Sequence, residues 1–238
     1  MRTNGVRHGQ LPAVVLVHGA WLDGSSWREV IVLLQKRGYE VTAAQHSLLA
    51  LRSDVEAVHR VLDRQRAPVI LVGHDYGGTV ITEAGQHPNV AGLLYIAAFA
   101  PDTGECTDEA QRRRSLPPYM GRPDIDAAGF ALLPPDVFRE HFAHDLPAVE
   151  SRVLAATQMP IRAAAFHDRV HTPAWRDKRS WYLHTLKDRM IDPALQSELS
   201  AQIRAKSFTL KSGHVPFLSQ PQETALIICA TADDLDTP

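Results

Sequence analysis

Val69-Ile-Leu-Val-Gly-His-Asp-Tyr-Gly-Gly78 is the stretch on which the fold turns. Val69 to Val72 is a continuous apolar run, as expected of a strand buried on both faces. It passes through Gly73-x-Asp75-x-Gly77 into a helical pattern from Gly78 to His87. A strand that enters a helix through so tight a turn lifts one side chain, that of Asp75, above the sheet edge. Glycines flank the turn because the crowded backbone leaves no room for Cβ atoms. The next N–H, that of Tyr76, opens the helix and is placed to bind an anion. An ordinary turn that uses glycine for geometry alone is the plainer alternative. The partners found elsewhere in the chain weigh against it.

Working outward, strand-like and helix-like segments alternate. Ala13 to His18 reads as a strand, and Ser26 to Arg37 as a helix closed by Gly38. Tyr39 to Ala44 is a strand, and Ser53 to Gln65 a helix with Ser53 or Asp54 as N-cap. Val90 to Ala98 is the fourth strand. The rhythm resumes with strand Trp181 to Leu186, helix Pro193 to Arg204, strand Ser207 to Leu210 and helix Pro221 to Ala230. This order predicts an α/β fold: a mostly parallel sheet of about six strands with helices on both faces. Residues 101–178 break the pattern, are rich in Pro, Arg and His, and read as a helical cap inserted into a core of 1–100 and 179–238. Arg112 to Arg114 within it read as a solvated face.

Composition narrows the function classes. The 238 residues are 45% hydrophobic and 22% charged, which excludes a disordered or fibrous chain. Lys plus Arg is 25 against 27 for Asp plus Glu, so no basic field is present to hold nucleic acid. Cys106 and Cys229 make no disulfide framework. No signal sequence or membrane-length apolar run is seen, so a cytoplasmic location without membrane contact is expected. A small molecule is the expected partner; the oligomeric state, a homodimer included, is left open. His141-x-x-His144 and His167-x-x-x-His171 have helix-compatible spacing but no third ligand, so no metal is expected. No phosphate-binding glycine loop occurs, and no cofactor is expected.

Three segments at strand ends complete a constellation around Asp75. His18-Gly-Ala-Trp21 offers a second N–H, from Ala20 or Trp21, to pair with that of Tyr76 as an oxyanion hole. Ser212-Gly-His214 follows the last strand, where a catalytic histidine belongs. Lys187-Asp-Arg189 supplies Asp188 to orient His214; Asp192 is the fallback acid, though just ahead of Pro193 it reads more simply as an N-cap. Trp21, Phe99, Tyr119 and Val215, and with them Tyr76, are candidates to line a pocket under the cap.

These segments, with Tyr95-Ile-Ala-Ala-Phe-Ala-Pro101 and Ser212-Gly-His-Val-Pro-Phe-Leu-Ser-Gln-Pro221, resemble the small esterase and hydroxynitrile-lyase-like branch of the α/β-hydrolase superfamily. The resemblance runs from about Leu11 to about Ala230 and implies that fold with its nucleophile elbow. Members similar to this chain carry Ser at the elbow, where this one has Asp75. The difference matters chemically. A carboxylate of pKa about 3.9 competes with an alkoxide leaving group near 15.7, a gap of roughly 12 pKa units or on the order of 16 kcal/mol. Ordinary ester hydrolysis through Asp75 is therefore disfavoured.

Attack on saturated carbon escapes that penalty. Asp75 would form an alkyl ester, and His214 with Asp188 would activate water to hydrolyse it. Epoxide hydrolysis on a small apolar or aromatic metabolite is the first expectation. Dehalogenation of a haloalkane is the second, with Trp21 or Trp175 as halide donor. His141, His144, His167 and His171 are candidate cap donors, each more simply read as a solvated or core histidine. A non-covalent lyase or isomerase using Asp75 and His214 as base, an esterase whose elbow Ser was replaced, and an inactive binding module are the further alternatives. Val215 stands where hydroxynitrile lyases resembling this chain carry Lys, which argues against cyanohydrin cleavage. Retention of both His214 and Asp188 argues against an inactive module.

Overall fold

The computed structural model describes residues 11–114 and 124–235. Its elements, in chain order, begin with β1 (Ala13–Val17), α1 (Arg28–Gln35), β2 (Val41–Ala44), α2 (Leu51–Leu62) and β3 (Val69–Asp75). Then come α3 (Tyr76–Ala84), β4 (Val90–Ala98), α4 (Thr107–Gln111), β5 (Asp124–Ile125), β6 (Phe130–Leu132) and α5 (Pro135–Val137). The remainder are α6 (Ala148–Ala156), β7 (Ile161–Arg162), β8 (Arg179–Thr185), α7 (Pro193–Gln202), β9 (Lys206–Leu210), α8 (Pro216–Ser219) and α9 (Pro221–Leu235).

Six strands form one parallel sheet in the order β2-β1-β3-β4-β8-β9. The continuous Val/Ile/Leu runs of β1 and β3 are buried at every residue because helices cover both faces. β3 lies between β1 and β4, so Asp75 leaves the sheet from the middle of its C-terminal edge, where parallel α/β sheets bind ligands. Gly38 closes the first helical segment at φ 88°, as its sequence position predicts.

Two local expectations fail for physical reasons. α2 begins at Leu51, so neither Ser53 nor Asp54 is its N-cap. Asp54 is instead fully buried, and its carboxylate accepts from the Ser47 and Leu48 N–H groups and the Tyr76 hydroxyl. The cap of α2 comes from far away: Asp168 accepts from the Leu51 N–H at 2.8 Å. Residues 101–178 are likewise not helical throughout. β5, β6 and β7 form a three-stranded antiparallel sheet there, and residues 138–142 make a π-helical turn. Strands of two or three residues are too short to show alternation in a sequence.

This segment is pinned to the core through backbone groups. Met159 donates its N–H to the Trp21 carbonyl at 3.2 Å, and Arg189 donates to the Glu140 carbonyl at 2.9 Å. Arg28 pairs with Glu150 across the same seam.

Candidate active site

The tightness of the β3–α3 turn sets everything around Asp75. Its backbone sits at φ 49°, ψ −122°, a conformation that costs energy for any L side chain and is held by close packing. A Cβ on Gly77 would lie 2.5 Å from the His18 carbonyl oxygen, so the end of β1 can approach the turn only if residue 77 has none. Gly77→Ala should therefore destabilise the fold by about 1–3 kcal/mol, read as a lowered melting temperature; an unchanged one would show that β1 yields freely.

The carboxylate of Asp75 is almost wholly buried, and its two oxygens are treated differently. Oδ2 accepts the Ala20 N–H at 3.0 Å, and the Tyr76 N–H also bonds the group. Oδ1 lies 3.8 Å from Nε2 of His214, which makes no hydrogen bond of its own. Burial pushes the Asp75 pKa up, opposed by the His214 charge and the two N–H groups. The donor from the β1 loop is thus Ala20; Trp21, the other candidate, turns at φ 61° and no hydrogen bond joins its N–H to Asp75.

His214 is fully buried, with Nδ1 2.9 Å from Asp188 Oδ2. Burial alone would lower the imidazole pKa, but Asp188, Asp75 and Asp145 together carry it above its ordinary value. Asp188 is itself saturated, accepting from Thr185, Gln196, Met190 and Ile191. Asp192 caps α7 by accepting the Ala194 N–H, which is why Asp188 and not Asp192 reaches the histidine. His74 is kept neutral by burial and by the neighbouring His214, and its Nε2 donates to the His214 carbonyl at 2.9 Å.

A cavity of about 220 Å³ opens over Asp75. Trp21 and Phe99 line it as expected, together with Leu133, Phe166, Met190 and Ile191. Val215 does not; it is fully buried at the start of α8. The Tyr76 ring is also absent from the wall, tied down by Asp54. Tyr119 lies outside the described residues. One wall is polar, formed by Asp108, Gln111, Arg112 and His167. Arg112 and Arg114 are exposed, as a solvated face would be; Arg112 also reaches the cavity wall, where its Nε binds Asp108 at 2.6 Å. Of the four cap histidines only His167 lines the cavity; His171 faces Glu83 instead. Both candidate halide donors are engaged, Trp21 Nε1 with the Ala131 carbonyl and Trp175 Nε1 with that of Pro101. Among the described residues no group of three His, Cys, Asp or Glu side chains could hold a metal ion.

Residues 14–225 match a family model described as Alpha/beta hydrolase family. Over 120 residues the chain is 33% identical to a carbendazim hydrolyzing esterase of Nocardioides sp., an alignment covering 44% of this chain and about half (49%) of that one. It is 25% identical to a pyrethroid hydrolase of Sphingobium wenxiniae over 92% of this chain and 87% of that one. Methylesterase 17 of Arabidopsis thaliana is 26% identical, over 88% and 87%. The solved pyrethroid hydrolase of Sphingobium faniae JZ-2 matches with a TM-score of 0.78 at 23% identity, over 94% of this chain and 98% of that one, a likeness of fold.

Proposed function

The chain belongs to the alpha/beta hydrolase family, and on that premise we propose that it hydrolyses epoxides through a covalent ester on Asp75. The observation that carries this reading is the seat of Asp75 Oδ2. In acyl transfer, a pair of N–H groups receives the oxygen of the substrate carbonyl. Here the Ala20 N–H holds Oδ2 of the attacking residue itself, and the Tyr76 N–H bonds the same carboxylate. A carbonyl substrate finds no vacant hole, whereas attack on saturated carbon needs none.

Oδ1 attacks a ring carbon, the epoxide C–O bond breaks, and the released alkoxide takes a proton from the polar side of the cavity. The product is a hydroxyalkyl ester of Asp75 whose carbonyl oxygen, Oδ2, already accepts the Ala20 N–H. Water then adds to Cγ while His214 Nε2 takes its proton and Asp188 stabilises the imidazolium. Negative charge grows on Oδ2, the adduct collapses, and the departing diol oxygen recovers the proton from His214. Asp75 is left as the carboxylic acid and returns its proton to the polar side of the cavity, which restores both groups. The engaged indoles of Trp21 and Trp175 favour an oxygen leaving group over halide.

The esterase names of two relatives, the carbendazim hydrolyzing esterase and methylesterase 17, favour a second reading, ester cleavage at the alkyl–oxygen bond. Asp75 would take the alkyl group and the substrate carboxylate would leave. Because two carboxylates differ little in basicity, the unfavourable gap of acyl attack disappears.

Single turnover in ¹⁸O water, with styrene oxide and methyl benzoate as probes, tests both. Solvent oxygen should enter Asp75 and be missing from the first-turnover diol. Label in that diol with none on Asp75 would replace the ester by direct water attack. Label in benzoate would mean acyl cleavage and overturn the second reading.

A further inference from the structure

Asp145 lies in the turn between the π-helical stretch 138–142 and α6. Its Oδ2 accepts the Gly213 N–H at 2.6 Å, reaching from the inserted segment to the residue before His214. Gly213 permits the approach: a Cβ there would lie 2.6 Å from Asp145 Oδ1 and 2.7 Å from His144 Cε1. Oδ1 is buried and makes no hydrogen bond. A half-satisfied buried carboxylate is costly if its only task is to accept one N–H, which an asparagine would do without the charge.

We propose that Asp145 is a positioning residue for His214, fixing the backbone that carries the ring and adding, beside Asp188 and Asp75, a third negative charge that favours its imidazolium. The groups facing His214 are Asp75 and His74 from β3, Asp188 from the turn after β8 and Asp145 from the inserted segment. The Phe142 ring packs edge-on against it. Asp188 orients the ring directly and has its oxygens shared among backbone and side-chain donors. Asp145 acts without touching the ring. It also makes the placement of His214 depend on the inserted segment being seated, because the Gly213 bond exists only when residues 143–147 lie against the core. If His214 is the base of the proposed reaction, seating and base strength are thereby linked.

The test needs no substrate. In the full-length protein the His214 ring is followed by NMR through a pH titration, assigned by its disappearance in H214Q. Asp145→Asn keeps an acceptor for Gly213 but removes the charge, and should lower the His214 midpoint by about 0.5–1 pH unit. Asp145→Ala should do the same and also speed exchange of the Gly213 amide at least about tenfold. An unchanged midpoint in Asp145→Asn overturns the proposal whatever Gly213 does, and that variant decides alone if Asp145→Ala fails to fold. Absence of epoxide turnover would sink the proposed reaction and leave this titration standing.

Discussion

Asp75→Asn should lower turnover by at least about 10⁴-fold and abolish any covalent adduct, while raising thermal stability. The amide keeps an oxygen for the Ala20 and Tyr76 N–H groups and turns an N–H₂ toward His214 Nε2, which otherwise lacks a hydrogen bond. What disappears is the nucleophilic charge. The sign of the stability change follows from the raised Asp75 pKa, first caused by burial. A carboxyl group with a folded pKa above its unfolded value favours folding only while protonated. Above both values, as at neutral pH, its ionised form opposes folding. Relief of even about 1 kcal/mol raises the melting temperature by about 2–4 °C in a chain of this size. Mass spectrometry after incubation with styrene oxide checks the first effect and differential scanning calorimetry the second. An Asp75→Asn protein that still turns over would make Asp75 a bystander.

His214→Ala should separate the two half-reactions. Attack by Oδ1 needs only the carboxylate, so ester formation on Asp75 continues; its hydrolysis slows by about 10³–10⁴-fold for want of a base. The adduct then accumulates to one per chain and is found on the peptide containing Asp75. The wild-type pH profile carries the same logic. Water is activated by neutral imidazole, and His214 has a raised pKa, so the hydrolytic step gains rate as pH rises through a value above the ordinary 6.5. Asp188→Asn should move that limb toward acid, since the largest charge holding the proton is gone. Turnover by His214→Ala with no trapped ester would point to Asp75 as a general base.

The site was legible wherever it sits on a strand end. Asp75, Tyr76, Ala20, His214 and Asp188 all sit at the ends of strands or just after them, in places that follow from the alternation of strands and helices, so position along the chain stands in for position in space. The inserted segment offers no such translation. Phe166, Leu133 and Arg112 meet the cavity from short elements around a small antiparallel sheet, whose strands of two or three residues show no repeated alternation. Asp54 misleads for a different reason: an aspartate before an apolar run has the pattern of an N-cap, and only burial beside Tyr76 reveals its other use. Asp145 carries no local signal, because its partner lies 68 residues away.

Trp21 joins three features already described: it lines the cavity, its Nε1 donates to Ala131 of the inserted sheet, and its carbonyl receives the Met159 N–H. Trp27 and Trp181 are buried in the core, and Trp175 bonds Pro101 away from the cavity wall. The protein thus contains its own optical probe. Indole emission depends on the polarity and hydrogen bonding around the ring, so a ligand entering the cavity alters the light from one tryptophan out of four. The difference between native and Trp21→Phe spectra isolates that signal, giving real-time access to ligand entry and departure without a label.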